Sequence, residues 1–483
     1  MKNSIKKNYF YNLGYQILTL ILPLITTPYI SQVLGAENIG IYSYTISIST
    51  YFILLGSLGI ALYGQRQIAY EQGKSETYSK TFWEIVILRF ITMSISMLIF
   101  YFAFVNGEQY QIYYKILFFE LLANCLDISW FFQGLEEFKK IVVRNTIIKI
   151  ISIISVFSFI KTQNDLIKYF WIYVLSILLG NISLWTQLHK YLKKIKLKQL
   201  NILQHVKPTI ALLVPQIAIQ IHAVLDKTML GTIISNKTEV GWYEQAQKII
   251  TVLLTVVTSL TTVMLPRISN VYISGKKEEL NRYMKKSFCF MFALSLPMIF
   301  GVLLVANEFV PLFFGQGYDK VIILMKLLTP FLLLVGISGV IGTQYLLPTQ
   351  RQREYTTSVI IGAIANVIIS LLLIKKYKSI GVSIGTVSAE LIIVIFQFYC
   401  IRNDFDIKEI VLTAKNYLIA SIIMYFTCLP LNGLIHNSIY LLLSKVILGT
   451  IIYGVTLIIL KDDIVKEIIE KIRGKMKWKH MIT

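Results

Sequence analysis

The sequence predicts an all-α integral membrane protein: about fourteen transmembrane helices, arranged as two six-helix lobes related by a parallel repeat, plus a C-terminal helix pair. Three observations carry this expectation. The 483 residues are 55% apolar and only 15% charged, with a mean hydropathy of +0.64, whereas soluble domains carry about 25% charged residues. Fourteen stretches are apolar over the roughly 20 residues that a helix needs to cross the hydrocarbon core. A series of short motifs also returns, in order, about two hundred residues later. The alternation that marks a membrane β-barrel is absent.

The spans fall at 8–32, 39–62, 81–106, 111–134, 144–161, 167–189, 208–234, 241–266, 287–306, 320–346, 357–374, 380–400, 413–432 and 438–460. With the N-terminus inside, thirty-three of the 47 Lys and Arg residues lie in cytoplasmic segments, seven in the opposite loops and seven within spans. The positive-inside rule then puts both termini in the cytoplasm. Most of the formal charge of +21 is therefore topology, and nucleic acid is not an expected partner. The opening Met1-Lys2-Asn3-Ser4-Ile5-Lys6-Lys7 looks like the start of a signal peptide. The apolar run behind it is too long, holds Pro23 and Pro28 and lacks a small-residue cleavage site, so it reads as the first span. Cys125, Cys289, Cys400 and Cys428 sit far apart within spans, which suits packing rather than a disulfide framework.

The repeat defines the organisation. Ile39-Gly40-Ile41-Tyr42 recurs as Val240-Gly241-Trp242-Tyr243, and Arg66 as Arg267, both at an offset of 201. Gly73-Lys74-Ser75-Glu76 returns as Gly275-Lys276-Lys277-Glu278 at 202, Leu34-Gly35 as Leu230-Gly231, and Phe131–Lys139 as Tyr345–Arg353 at 214. Six spans is an even number, so both copies enter the membrane in the same sense, as in transporters built from two rocking halves. The expected divisions are 1–200, 201–400 and a remainder, 401–483, holding the extra helix pair and a basic tail. The link at 190–207 carries Lys190, Lys193, Lys194, Lys196 and Lys198. It reads either as an amphipathic connector on anionic headgroups or as a plain positive-inside loop.

Enzymatic chemistry finds little support. His189, His205, His222, His436 and His480 show no metal-ligand spacing, and no phosphate-binding Gly-rich loop is present, so no cofactor is expected. The longest outer loop, 307–320, is too short for the external catalytic segment expected of a glycan polymerase or ligase. What remains is charge inside the membrane, which is costly and usually faces a bundle interior or a wet cavity. Candidates are Glu84 and Arg89 on span three, Glu120 and Asp127 on four, and Lys149 on five. In the second half they are Asp226, Lys227, Glu244, Lys248, Lys326 and Glu390. Glu244 and Lys248 share a helix face at i,i+4, and Asp226 and Lys227 lie at similar depth on the preceding span. A mixed-charge cluster follows if those faces meet. Asp127, Asp226, Glu244 and Glu390 fit either ion coupling or helix-locking ion pairs. Span one adds Asn12, Gln16 and Thr19 as a polar stripe, suited to a sugar-lined cavity or to interhelical hydrogen bonds. Pro23, Pro28, Pro208 and Pro215 fall on the equivalent first helices of the two halves, where bends would suit a gate.

Asp226-Lys227-Thr228-Met229-Leu230-Gly231, Val240-Gly241-Trp242-Tyr243 and Ala246-Gln247-Lys248-Ile249 together resemble spans seven and eight of the polysaccharide repeat-unit flippases. These are the Wzx-type members of the multidrug/oligosaccharidyl-lipid/polysaccharide exporter superfamily. Asn12, Pro23, Pro28-Tyr29, Leu34-Gly35, Gly40-Ile41-Tyr42 and Ile380-Gly381-Val382-Ser383-Ile384-Gly385-Thr386 extend the similarity over about 8–400. The resemblance implies a MATE-like pair of lobes that open a central cavity alternately to each side of a bacterial plasma membrane. Its implied substrate is an oligosaccharide on undecaprenyl pyrophosphate, flipped outward for capsule or other cell-surface polysaccharide, with a polymerase and assembly proteins as further partners and a monomer as the default. Cationic side chains in a shielded cavity would replace part of the hydration of the pyrophosphate, and Arg89, Lys149, Lys227, Lys248 and Lys326 are the candidates, beside Asn12 and Gln16. The rival within the superfamily is a cation-coupled drug exporter. Its bacterial members often carry an acidic residue on the first helix, which span one here lacks.

Overall fold

The computed structural model describes residues 2–107, 109–196, 199–462 and 466, with the backbone alone for 2–21, 214–223, 260, 262 and 263. Seventeen α-helices follow in order among the described residues: α1 Lys2–Ser57, α2 Ile60–Tyr70, α3 Ser75–Phe100, α4 Gln111–Cys125, α5 Ser129–Gly134, α6 Phe138–Phe159, α7 Leu166–Trp185, α8 Val206–Ile233, α9 Thr238–Ile273, α10 Lys277–Phe314, α11 Asp319–Ser338, α12 Gln352–Tyr377, α13 Ser379–Ile401, α14 Ile407–Thr413, α15 Lys415–Cys428, α16 Leu431–Leu434 and α17 Ser438–Ile459. No strand occurs among the described residues. Twelve segments there are long and apolar enough to cross a membrane, against the fourteen expected. The first two expected spans merge into one segment, Leu22–Tyr70, whose helix breaks at Gly35 (φ 77°). The seventh coincides with α8, which runs through 214–223.

By internal packing the chain forms two compact units, Met1–Gly241 and Trp242–Thr483. The first therefore includes α8, because α8 packs along the second half of α1. Gly231 lies against the Tyr44 ring, and the Ser47 and Thr228 hydroxyls are 2.9 Å apart. An aromatic core around Phe82, Trp130, Phe131 and Phe132 fills one region of this unit, and Phe100, Tyr114 and Phe170 fill another. In the second unit Phe288, Phe292, Met291 and Tyr345 join α10 to the α11 end and to α13.

The backbone repeats where the sequence does. Gly73 (φ 91°) and Gly275 (φ 68°) turn the chain two residues before α3 and α10 begin. Glu136 (φ 60°) and Gln350 (φ 62°), 214 residues apart, are both left-handed, a conformation uncommon outside glycine. Each is followed by the same long-reaching bond, Glu137 N to Phe132 O at 2.8 Å and Arg351 N to Leu346 O at 2.9 Å.

Candidate functional site

In the first unit the fourth span is broken at 126–128, between α4 and α5. A helix end inside a membrane leaves carbonyls that water cannot satisfy. Side chains from neighbouring helices take them up. Arg89 of α3 donates from Nε and Nη2 to the Asn124 carbonyl at 3.0 and 2.7 Å. From α7, Asn181 donates to the Ala123 carbonyl and Trp185 to the Leu126 carbonyl, both at 2.7 Å. Asp127 lies in the break itself, accepting from the Ser129 N–H at 2.9 Å and standing 3.7 Å from Arg89 Nη2. Arg89 is only 3% exposed, so in this conformation its charge is spent on a helix end.

Two buried carboxylates in the same unit are also fully engaged. Glu120 accepts from Ser49 Oγ and Tyr173 OH, both at 2.8 Å. Glu84 accepts from the Asn201 N–H at 2.6 Å, Gln204 Nε2 at 3.0 Å and His205 Nε2 at 2.9 Å. The other His205 nitrogen, Nδ1, takes the Tyr63 hydroxyl at 2.8 Å. This network pins the start of α8 to α2 and α3. Lys149 is half-buried on α6, Asp226 is fully buried on α8, and Lys227 beside it is half-buried. The side chains of Asn12 and Gln16 lie outside the described residues, and α1 runs helical through Pro23 and Pro28.

Lys237, which the sequence presents as an ordinary loop charge, is buried at the end of α8. Its ammonium donates to the Gly231 carbonyl and, at 3.3 Å, to that of Ile234, and lies over the Tyr44 ring at 4.7 Å. Burial holds it below the usual lysine value. Just beyond it, Gly40 and Gly241, the repeat-equivalent glycines, bring two backbones together. A Cβ on Gly40 would stand 1.7 Å from the Lys237 carbonyl oxygen, and one on Gly241 1.9 Å from that of Ala36.

In the second unit Glu244 and Lys248 are half-buried on α9. Asp226 and Lys227, the other members of the expected cluster, belong to the first unit. Lys326 donates to Asn307 Oδ1 at 2.9 Å, joining α11 to α10. Glu390, 5% exposed, is buried on α13, four residues along from Thr386. Between α12 and α13 Gly385 makes room for Ser370, whose hydroxyl donates to Asn366 Oδ1 at 2.9 Å, and Thr386 of α13 meets Tyr243 OH of α9 at 3.2 Å. Ser358, Gly362, Asn366 and Ser370 are all buried, at four-residue spacing on an apolar helix. That spacing is the signal that could have singled them out. Among the described residues no group of three or more His, Cys, Asp or Glu side chains is placed to hold a metal ion.

A family model described as "Polysaccharide biosynthesis protein" matches residues 5–272. The chain is 24% identical over 411 residues to the "Putative O-antigen transporter" of Escherichia coli (strain K12), covering 83% of this chain and 98% of that protein. Among solved structures its fold is similar to that of the lipid II flippase MurJ in an inward closed conformation. The TM-score is 0.76 at 17% identity, over 95% of this chain and all of that one. It is also similar to a multidrug resistance MATE family transporter of the MOP superfamily, inward-facing, with a TM-score of 0.64 at 15% identity over 82% and 95% of the two chains. With the family model covering more than half its length and an all-helical membrane fold of the MurJ and MATE type beneath it, the chain belongs to the polysaccharide biosynthesis protein family.

Proposed function

We propose that this protein is a flippase, moving an oligosaccharide repeat unit on undecaprenyl pyrophosphate from the cytoplasmic to the outer face of a bacterial plasma membrane. The observation that carries the reading is the coincidence of two independent likenesses. The sequence falls in the polysaccharide biosynthesis protein family and is similar to a protein described as "Putative O-antigen transporter", and the fold is similar to that of a lipid II flippase over almost its whole length. The physics supports it: a charged sugar–pyrophosphate head does not cross ~30 Å of hydrocarbon unaided. Two six-helix lobes, 1–200 and 201–400, would open in alternation around that head. The half-buried Lys149, Lys227 and Lys248 would meet its phosphates, and the buried Glu390 would serve ion coupling. The lipid chain would stay in the bilayer. The appended pair α15 and α17 borders an apolar cavity of about 390 Å³ beside Pro297, Met298 and Gly301, which suits contact with part of that chain.

The test is analysis of lipid-linked intermediates in the native host after deletion of the gene. Accumulation of single undecaprenyl-pyrophosphate-linked repeat units on the cytoplasmic leaflet, relieved by re-expression, is the expected result. Single units accumulating on the outer leaflet would mean a failure of polymerisation instead. No accumulation, with altered drug sensitivity, would make the chain an exporter.

A further inference from the structure

The tenth expected span changes helix type near its end. From Gly339 to Leu346 the chain continues α11 as a π-helix, closed by the Leu347 N–H donating to the Gly342 carbonyl, five residues back, at 3.1 Å. π-Helices are rare, run mostly for a single turn and gather at functional sites; this one runs eight residues. Two features favour it. Pro348 has no N–H to give the Gln344 carbonyl, four residues back, so α-helical spacing would lose a bond there. Gly342 lets its neighbours in against the widened backbone: an added Cβ would stand 2.7 Å from the Tyr355 ring and 3.0 Å from Gln397 Nε2.

The cost falls on the side chains. Gln344 is 1% exposed, and neither its Oε1 nor its Nε2 has a hydrogen-bond partner among the described residues. Gln397 of α13, fully buried, donates from Nε2 to Ser358 Oγ at 3.1 Å, but its Oε1 has no partner there. Both lie in segments apolar enough to cross a membrane, where water does not replace an unmade bond. Buried amides are nearly always bonded in native structures, so three unbonded atoms on two side chains mark an arrangement held at a cost. The first unit supplies the contrast. At the offset of 214, residues 340–342 answer to 126–128, where the fourth span breaks. Arg89, Asn181 and Trp185 cap the carbonyls freed there. The residue matching Gln344 is Trp130. Its indole N–H is also unbonded, but the ring packs against Gly64 and stacks on Phe82 at 5.7 Å. One half is fixed in its departure from the α-helix, and the other is balanced.

We propose that Gly339–Leu346 is a register switch within the second unit, π-helical in this conformation and α-helical in a second one. An α-helix turns ~100° per residue, so the change carries Gln344 off its present face to one where its amide is bonded. The backbone bond that Pro348 withholds opposes that gain, which keeps both registers within reach. The switch needs no cargo, so it stands or falls apart from the flippase reading.

The experiment is hydrogen exchange of the full-length protein in detergent, read by mass spectrometry on peptides covering 339–350, with α17 as the reference. Gln344→Leu removes the unbonded amide at nearly constant volume and so favours the π register. It should slow exchange in 339–350 by about tenfold, the low end of what one unsatisfied buried amide costs, while α17 keeps its wild-type rate. Gln344→Met should do the same. Unchanged exchange in 339–350 in both variants would overturn the switch. So would slowing that α17 shares equally, because the gain would then belong to the whole unit rather than to one register. Faster exchange in 339–350 would overturn it as well, since the amide would then be a working partner in the π form.

Discussion

Replacing Gly241 by alanine is the sharpest test of how the first unit is held together. The added methyl would sit 1.9 Å from the Ala36 carbonyl oxygen, and the partner change at Gly40 would place one 1.7 Å from that of Lys237, whereas real Cβ atoms essentially never come within 3.0 Å of a neighbour. Relief therefore requires the two backbones to part by at least 1.1 to 1.3 Å. Neither obstacle is a side chain that can swing aside. Overpacking a well-filled contact costs about 1–3 kcal/mol, and a rigid backbone on both sides argues for the upper end. About 3 kcal/mol is a factor of more than a hundred in the folded ratio. Gly301 and Gly454 are the controls: both lie within helices with nothing near the would-be Cβ. There alanine should be neutral or stabilising by up to about 1 kcal/mol through helix propensity. The assay is the thermal midpoint of detergent-solubilised protein, followed by the monomer peak in size exclusion. A Gly241→Ala midpoint indistinguishable from that of Gly301→Ala would refute the argument.

Other perturbations separate structural charge from working charge. Arg89→Ala strips both guanidinium bonds from the Asn124 carbonyl, leaving it only the Asp127 N–H at 3.2 Å, and should lower stability by about 1–3 kcal/mol, visible as loss of membrane yield and midpoint. Lys227→Ala and Lys248→Ala should impair flipping in the complementation assay while insertion and expression stay near normal; loss of protein from the membrane would instead mark them as helix-locking ion pairs. Glu84→Ala strands three donors at the start of α8 and should cost more midpoint than Glu84→Gln, which keeps an acceptor oxygen. Lys237 supplies a pH test. Its folded value lies below the ordinary lysine value of about 10.4, so between the two the unfolded chain binds the extra proton and stability rises with pH. The midpoint should climb as pH approaches about 10, and Lys237→Met should remove the climb.

The sequence was informative wherever a feature is local or repeated. Apolar runs mark the spans, and the recurrence of Gly73 as Gly275 and of the 131–139 corner at 345–353 reappears in φ angles and turn hydrogen bonds. The charges were legible as present but not as paired. Arg89 answers to a backbone carbonyl exposed by a break at Leu126-Asp127-Ile128, which contains neither Gly nor Pro to announce it. Glu120 is held by Ser49 and Tyr173, partners 71 and 53 residues away, whose meeting depends on how each helix is rotated. The Ser358–Ser370 stripe was readable by the same rule that singled out Asn12 and Gln16, since both are small or polar positions recurring along an apolar helix.

Depth of burial is therefore a poor guide to which cation handles substrate. The most deeply buried ones each end on a helix carbonyl: Arg89 on Asn124, Lys237 on Gly231, and Lys445 on Leu304, the last also 2.9 Å from Glu308. A cation committed to a carbonyl that has no water to fall back on cannot also release and recapture a phosphate in each transport cycle without exposing that carbonyl to hydrocarbon. A transport cation has to exchange partners at little net cost, which favours side chains at the boundary between protein and water. Lys149, Lys227 and Lys248, the cations proposed above for the phosphates, are half-buried rather than buried. If the flippase reading is right, the activity map should follow partial exposure, and the stability map should follow the carbonyls.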